Sequence, residues 1–274
     1  MFDVARRDIV VTGYQDAELA ASVYSRPGHT STGPGLFYLH GGGTVGGDRT
    51  TGLSFVLPLV LEYDLTPVTV EYRLAPEHPD PYPVEDAFAA LVWTVRHSAD
   101  LTIDPAQLIS SGVSAGGGLA AGTTLLARER GEPALLGQLL MSPMLDDRDR
   151  TRSTHQLDRT GTWTRGSNQL AWAALLGSRA GTRAVSASAA PARASDLSGL
   201  PPAFIDVGSA DLLRDESVAY ADQVWADGRA CELHVWPGGT HAWEVLIADS
   251  PMARQAASAR SGWLGRLLAR PASA

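Results

Sequence analysis

The sequence of 274 residues contains no lysine, so all 22 of its basic residues are arginine. Codon bias in a GC-rich genome explains such a composition, but its chemical consequence holds whatever the origin. A Schiff-base lysine, a P-loop lysine and a Ser-Lys dyad are all excluded. Any activated nucleophile in this chain must therefore rely on another base.

Cysteine, positive charge and long apolar runs are also scarce. Cys231 is the single cysteine, which excludes an internal disulfide and a cysteine cluster for zinc or iron–sulfur. The net charge of −8 disfavours nucleic acid as a partner, because phosphates require clustered cations. The sequence has no apolar window of about 18 residues, and its start, MFDVARRDIV, lacks the apolar segment of a signal peptide. We therefore expect a cytoplasmic protein without a membrane span.

Short runs of β-branched or aromatic residues alternate with longer helical patterns. The predicted strands are residues 8–12, 19–24, 35–39, 67–72, 107–112, 136–141, 203–208 and 231–236. The predicted helices lie near residues 51–63, 84–98, 115–130, 213–227 and 252–268. The first two strands are close enough for a hairpin, and the later alternation implies crossover connections. The sequence thus predicts one α/β domain over residues 1–274, with a mostly parallel eight-stranded sheet flanked by helices.

A polar segment, residues 146–200, interrupts this alternation and is rich in Arg, Ser and Ala. We interpret it as a small cap insertion between two strands. The spacing of Trp172, Leu175 and Leu176 predicts one short amphipathic helix within it. That helix either covers the pocket as a partial lid or anchors the insertion to the core, and the sequence leaves both open.

The stretch FYLHGGGTVGGD (37–48) contains two overlapping motifs. GGGTVG (41–46) fits the G-x-G-x-x-G turn of dinucleotide-binding proteins, and Glu71 resembles the acid that binds the ribose. HGGG (40–43) instead fits a glycine loop whose N–H groups face an oxyanion. Both functions use glycine because the chain must approach a negative charge closely, without a Cβ. This stretch alone leaves hydride transfer and acyl transfer open.

A second motif, GVSAG (112–116), surrounds Ser114 between an apolar strand and a predicted helix. In G-x-S-x-G the small residues on either side of the serine permit a sharp turn that lifts its Oγ above the sheet. The structural alternative is a glycine-rich helix start packed on the sheet, because the chain has 28 glycines. Ser114 is the candidate nucleophile.

A serine nucleophile needs a base, and in this arrangement the chain order is serine, acid, histidine. Three histidines follow Ser114. His155 lies in the insertion, and His234 lies inside a predicted strand. His241 follows the last predicted strand, in a loop at its carboxyl end. We therefore predict that His241 is the base.

The acid is expected at the carboxyl end of the preceding strand. Asp211 comes immediately after that strand, where it can reach the imidazole and fix its tautomer. The other candidates are Asp206, Asp215 and Glu216 in the same segment and Asp146 and Asp147 after an earlier strand. We predict Asp211, with Asp146 and Asp147 as the fallback acids.

These assignments decide between the two motifs of the first stretch. Gly41, Gly42 and Gly43 lie in a loop after an early strand, where N–H groups can stabilise a tetrahedral oxyanion. The N–H of Ala115, which follows the nucleophile, would supply another donor. The dinucleotide interpretation gives no account of a serine, an acid and a histidine in this order.

Four segments together resemble the hormone-sensitive-lipase-like branch of the α/β-hydrolases. They are HGGG (40–43), EYRLAPEHPDPYPVEDAFAALVW (71–93), DPAQLISSGVSAGGGLAA (104–121) and VGSADLLRDESVAYADQV (207–224), which continues to GGTHAW (238–243). The resemblance implies an α/β-hydrolase fold and esterase or lipase activity on carboxylic esters. It also implies the triad Ser114, Asp211 and His241, with no metal and no organic cofactor.

The sequence departs from this family at three places. Val113 stands where the family usually has Asp, Leu212 stands where it usually has Pro, and the N-terminal region is short. Rival functions with the same acyl-enzyme are those of a thioesterase, a lactonase or an acyl transferase. Binding proteins that resemble this family lose the triad histidine, whereas His241 is present here.

We therefore expect a serine carboxylesterase that acts on a small-molecule ester. Because the short N-terminal region leaves the cover of the site to residues 146–200, we expect short-acyl or bulky soluble esters and no interfacial activation. The expected pocket residues are His40, Val113, Trp163, Trp172 and Trp243. The sequence leaves a homodimer open.

Overall fold

The computed structural model describes residues 3–159 and 161–269. Its strands are β1 (Ala5–Thr12), β2 (Glu18–Ser25), β3 (Gly33–Leu39), β4 (Thr66–Val70), β5 (Ile103–Val113), β6 (Gly137–Met141), β7 (Ala203–Gly208) and β8 (Cys231–Trp236). Its α-helices are α1 (Leu57–Tyr63), α2 (Tyr82–Arg96), α3 (Ala115–Arg130), α4 (Arg152–Gln156), α5 (Arg165–Leu176), α6 (Arg214–Ala226), α7 (Trp243–Leu246) and α8 (Pro251–Leu268).

The eight strands of the described residues form one sheet in the order β1-β2-β4-β3-β5-β6-β7-β8. β1 pairs antiparallel with β2, and β2 pairs antiparallel with β4. The remaining neighbours, from β4 through β8, are parallel. The predicted hairpin and the mostly parallel eight-stranded sheet are therefore confirmed.

Helices cover both faces of the sheet, as the alternation of side chains along β3 illustrates. Phe37 and Leu39 pack in one core cluster with residues of α2, α3 and α6. Leu36 and Tyr38 point to the other face and pack with residues of α1 and α8. Burial on both faces explains why every residue of the central strands β4 and β6 is buried, whereas the edge strand β1 is mostly exposed.

The five predicted helices are present as α1, α2, α3, α6 and α8. The first begins later than expected, because residues 51–56 form turns that include a short 3-10 helix at Leu53–Phe55. The short helices α4 and α7 were not predicted from the sequence. Both have fewer than two full turns, so they carry almost no periodic signal.

Residues 146–200 lie between β6 and β7 and contain α4 and α5. The predicted short helix is confirmed as α5. Its Trp172, Leu175 and Leu176 are buried in a cluster that joins this segment to the rest of the core, while Leu170 is 70% exposed. The three apolar residues therefore anchor the insertion. The prediction of one domain over residues 1–274 reaches beyond the described residues and stays a prediction.

Candidate active site

Ser114 occupies the sharp turn between β5 and α3. Its backbone has φ 58° and ψ −123°, in a region that residues other than glycine rarely adopt. The turn brings α3 against β3 so closely that a Cβ on Gly116 would overlap the main-chain oxygen of Leu39. Small residues around Ser114 are therefore required by the turn, as the motif predicted.

The three predicted triad residues lie together in the structure. The distance from Ser114 Oγ to His241 Nε2 is 3.0 Å, and the distance from His241 Nδ1 to Asp211 Oδ2 is 2.9 Å. An ionised carboxylate only accepts hydrogen bonds, so Nδ1 carries the proton and Nε2 is free to accept from the serine hydroxyl. The arrangement can activate Ser114 as a nucleophile.

The topology of the sheet brings these residues together. Ser114 follows β5, Asp211 follows β7 and His241 follows β8, so all three lie at the carboxyl edge of the parallel strands. The loops after β7 and β8 are joined by a hydrogen bond from the N–H of Ala210 to the oxygen of Gly239, at 2.9 Å. This bond fixes the loop that carries Asp211 (the acid loop, residues 209–213) relative to the loop that carries His241 (the base loop, residues 237–242).

The alternative acids have other partners. Asp146 accepts from Arg148 at 2.6 Å and 2.8 Å. Asp147 is ion-paired with Arg193 at 2.5 Å. The remaining candidates of the acid segment pair with groups other than His241: Asp206 with Arg260, Asp215 with Arg214 and Glu216 with the N–H of Leu145. Asp211 is thus the acid that contacts His241.

The HGGG loop lies beside the serine. A Cβ placed on Gly41 would stand 3.3 Å from the Cβ of Ser114. Gly42 has φ 120°, a conformation that glycine adopts without strain. Among the described residues, the N–H groups of Gly41, Gly42 and Gly43 have no hydrogen-bond acceptor. The N–H of Ala115 likewise has no partner within its helix, because it lies in the first turn of α3.

His40 packs beneath this loop. It was expected in the pocket, and the structure corrects that expectation. It is fully buried and does not line the cavity. Its Nδ1 donates to the oxygen of Gly41 at 2.8 Å, and its ring stacks on Tyr72 with the centroids 4.2 Å apart. Burial lowers the pKa of His40, which favours the neutral ring. His40 therefore shapes the glycine loop and has no access to a substrate.

A cavity of about 420 Å³ opens at Ser114 and His241. Of the expected pocket residues, Val113, Trp163 and Trp243 line it. Trp172 does not line this cavity, which is the second correction. Its side chain turns toward the core, because it shares the apolar side of α5 with Leu175.

Several lining residues were missed by the sequence reasoning. They are Thr50, Thr51, Gly52, Leu53, Ser54, Phe55, Met141, Ser142, Ala242, Glu244 and Val245. Ser142 directly follows β6, so its position at the carboxyl end of a parallel strand was a usable signal. The segment 50–55 gave no such signal. Its apolar residues continue the pattern of α1, so the sequence placed them in that helix and not in the cavity.

The dinucleotide interpretation fails on two observations. The residue proposed for the ribose, Glu71, accepts from Arg49 Nη1 at 3.1 Å. The helix that should open directly after Gly46 is also missing there, since α1 begins only at Leu57. The glycine loop therefore does not have the geometry of a dinucleotide turn.

A buried ion network lies beyond the base. Arg260 of α8 donates to Asp206 of β7 at 2.5 Å and to Glu244 Oε2 at 2.6 Å. Burial alone would lower the pKa of the Arg260 guanidinium, but the two carboxylates raise it. Because Glu244 lies three residues after His241, the network ties the base loop to α8.

Within residues 3–159 and 161–269, no three His, Cys, Asp or Glu side chains are grouped as metal ligands. In the same part of the chain, no helix combines the length and apolar composition needed to cross a membrane.

Comparison with known proteins gives a consistent answer. The sequence profile described as alpha/beta hydrolase fold matches residues 36–245. Carboxylesterase NlhH of Mycobacterium tuberculosis is 34% identical over 245 residues, which are 87% of this chain and 75% of that protein. Esterase LipI of the same species is 33% identical over 234 residues, which are 81% of this chain and 69% of that protein.

Solved structures agree with the sequence relatives. The structure titled "Bacterial Heroin Esterase" has a TM-score of 0.95 and 36% identity, covering 98% of this chain and 86% of that chain. Esterase LipW from Mycobacterium marinum has a TM-score of 0.90 and 31% identity, covering 97% and 83%. The chain belongs to the α/β hydrolase fold family, in the hormone-sensitive-lipase-like branch that its motifs predicted.

Proposed function

We propose that this protein is a serine hydrolase that cleaves carboxylic esters through an acyl-enzyme. The observation that carries the proposal is the hydrogen-bonded chain from Ser114 Oγ through His241 to Asp211, with distances of 3.0 Å and 2.9 Å, beside an open cavity. The relatives named carboxylesterase and esterase support it.

Each residue of this triad has a defined part in the reaction. Ser114 Oγ attacks the ester carbonyl carbon while His241 Nε2 takes its proton. The N–H groups of the glycine loop and of Ala115 donate to the resulting oxyanion. The tetrahedral species collapses to the acyl-enzyme, and His241 returns the proton to the departing alcohol. A water molecule then attacks the acyl-enzyme while His241 takes its proton, and the carboxylic acid leaves as Ser114 Oγ regains a proton from His241.

The proposed substrates are short-acyl or bulky soluble esters. The cavity is moderate in size, at about 420 Å³, and most of its lining is apolar or small. The cap segment contains only two short α-helices among its described residues, α4 and α5. Such a cover is too small to act as the large movable lid on which activation at a lipid interface depends.

A fluorophosphonate probe tests the nucleophile directly. We expect covalent labelling of the wild-type protein at Ser114 and none of the Ser114→Ala variant. Absence of labelling in wild-type protein would favour a binding protein on this fold. A panel of acyl esters, thioesters and lactones, each with water or an added alcohol as acceptor, then separates an esterase from a thioesterase, a lactonase or an acyl transferase.

The location and the assembly of the protein are further proposals. We propose a cytoplasmic protein, because a chain with a single cysteine cannot form the internal disulfides that are common in secreted proteins. Cell fractionation checks the location. Light scattering coupled to size-exclusion chromatography checks whether a homodimer forms.

A further inference from the structure

Trp163 is the residue through which the cap reaches the reaction site. Of the described residues between 146 and 200, it is the one that lines the cavity. Its Cη2 lies 2.5 Å from the place where a Cβ on Gly43 would stand, and its ring centroid is 6.0 Å from that of His241. The indole therefore lies between the glycine loop and the base.

The main chain next to Trp163 is fixed to the base loop. The hydroxyl of Thr162 donates to the main-chain oxygen of His241 at 2.6 Å. Thr240, also in the base loop, lies 3.3 Å from a Cβ placed on Gly161. The cap segment and the loop that carries His241 therefore hold a common position, and the indole has a defined place relative to the base.

The indole ring itself is oriented by α5. Trp163 Nε1 donates to Asn168 Oδ1 at 3.2 Å, and Asn168 is fully buried. Asn168 is in turn held in place because α5 is anchored to the core through Trp172. A partner on a packed helix leaves the indole little freedom to rotate out of the cavity.

The cavity is closed at Trp163 and open to the surface at another part of its lining. Residues 50–55 and 242–245 also line it, and a second cavity of about 540 Å³ adjoins this part of the lining. The two cavities share Ser54, Phe55, Glu244 and Val245. Because Val245 is 59% exposed, their boundary is open at the surface. The indole and the α5 residue Ala171 both lie against Gly43, and because neither Gly43 nor Ala171 lines the cavity, the cavity ends at the indole.

We propose that Trp163 is a specificity-determining residue and that Asn168 is its positioning residue. The indole restricts one of the two groups of the ester, acyl or alcohol, to a short chain. The other group extends toward residues 50–55 and tolerates bulk. This inference rests on the proposed esterase function and deepens it.

Two ester series test the proposal. The first varies the acyl chain on a fixed p-nitrophenyl group, and the second varies the alcohol on a fixed acetyl group. We expect Trp163→Ala to raise kcat/KM for the long members relative to the shortest by about tenfold in one series, and to leave the other series unchanged. Trp163→Phe, a smaller change that also retains an aromatic ring, should give a weaker shift in the same series.

Leu170→Ala is the matched control, because Leu170 lies on the same cap helix α5, is 70% exposed and does not line the cavity. It should leave the profiles of both series unchanged. The proposal is overturned if Trp163→Ala and Trp163→Phe leave both profiles unchanged or shift them equally. Wild-type protein that hydrolyses no ester contradicts the proposed function itself, and the inference falls with it.

A double-mutant cycle tests the part of Asn168. Asn168→Leu removes the acceptor of the indole N–H at similar volume, so the chain-length profile should shift in the same direction as in Trp163→Ala. In the Trp163→Phe background no indole N–H remains, and Asn168→Leu should then leave the profile unchanged. Equal shifts in both backgrounds would show that Asn168 acts through packing alone and would refute its positioning role.

Discussion

Asp211 Oδ2 lies 2.9 Å from His241 Nδ1, while its second oxygen accepts from the N–H of Leu213, also at 2.9 Å. One carboxylate thus holds the imidazole and is itself held by the turn that leads into α6. Because Asp211 is fully buried, water does not compete for either bond. The orientation of His241 therefore depends on the charge and the acceptor capacity of this single side chain.

Replacement of Ser114 or Asp211 should abolish most of the activity without unfolding the protein. Ser114→Ala should lower kcat by about 10⁶-fold, by analogy with serine hydrolases in which a triad member was removed. Asp211→Asn keeps the shape but favours the wrong tautomer of His241, and should lower kcat by about 10⁴-fold. Steady-state kinetics with p-nitrophenyl acetate, together with thermal unfolding, measures both effects.

Asp147→Asn is the control for the acid. Asp147 is equally buried but pairs with Arg193, so its replacement should lower stability and leave most of the activity. A nearly wild-type Asp211→Asn variant combined with an inactive Asp147→Asn variant would refute the assignment of Asp211.

Gly42→Ala should damage the oxyanion loop. A Cβ at this position would overlap the oxygen of Gly46, and φ 120° is strained for alanine. The loop would have to move its N–H groups, so we expect kcat to fall by about 10²- to 10³-fold. Gly131→Ala is the matched control, since φ is also positive there, at 81°, but the added Cβ meets nothing within 4 Å. Equal activity of both variants would contradict the role of the loop.

Glu216 should make stability depend on pH. Burial raises the pKa of its carboxyl well above the ordinary value, and the nearby carboxylates of Asp146 and Asp211 act in the same direction. Between the unfolded and the folded pKa, the native state therefore binds more protons than the unfolded state. It follows that the free energy of unfolding falls as pH rises through this window.

Glu216→Gln removes this titration but keeps an oxygen that can accept from the N–H of Leu145. Above the unfolded pKa of about 4.3, the wild type should lose stability relative to the variant by up to about 1.4 kcal/mol per pH unit. Urea unfolding at a series of pH values measures the difference. The exposed Glu129→Gln serves as control, and a difference between Glu216→Gln and wild type that stays constant with pH would contradict the prediction.

Val113→Asp should change stability more than catalysis. Val113 packs beside the turn, with its Cγ1 3.4 Å from the position of a Cβ on Gly41, and it is only half-buried. A carboxylate without a partner at this place should cost about 1–3 kcal/mol of unfolding free energy. Chemical denaturation and kcat should be measured on the same preparation. A complete loss of activity with unchanged stability would show that residue 113 acts on the chemistry.

Chain-length selectivity tests the proposed substrates. Across p-nitrophenyl esters from about two to sixteen acyl carbons, kcat/KM should be highest at the short end, because the cavity of about 420 Å³ is limited in volume. The rate should rise smoothly with substrate concentration. An optimum at the long end, with a jump in rate above the micellar threshold, would refute this expectation.

The arrangement of the sheet and the triad could be predicted from the sequence because both follow chain order. Parallel strands that alternate with helices must place Ser114, Asp211 and His241 at one edge of the sheet. The two cap tryptophans show where such reasoning ends. The spacing of Trp172 to Leu175 predicts the helix but leaves open whether its apolar side faces the pocket or the core, so the expectation of Trp172 in the pocket was wrong. Trp163 precedes the helix and has no periodicity to place it.

Long-range polar pairs could not be predicted for a different reason. The oxygen of Glu216 that accepts from Leu145, 71 positions away, is one such case, and the pairing of Arg260 with Asp206 is another. Glu216 and Arg260 carry no local signal of burial, because either side chain would fit equally well on the solvent-exposed side of a helix. Only the packing of α6 and α8 against the sheet removes water and makes these pairs obligatory.

The ion network around Arg260 also determines when, during synthesis, the contacts of the base loop can be completed. Synthesis proceeds from the N-terminus, so Ser114, Asp211 and His241 all leave the ribosome before α8 does. A nascent chain that has emerged from the ribosome as far as Val245 contains all three triad residues. Its Glu244 still lacks the guanidinium that neutralises it. The contacts that hold the base loop are therefore completed only when α8 docks and Arg260 reaches Glu244.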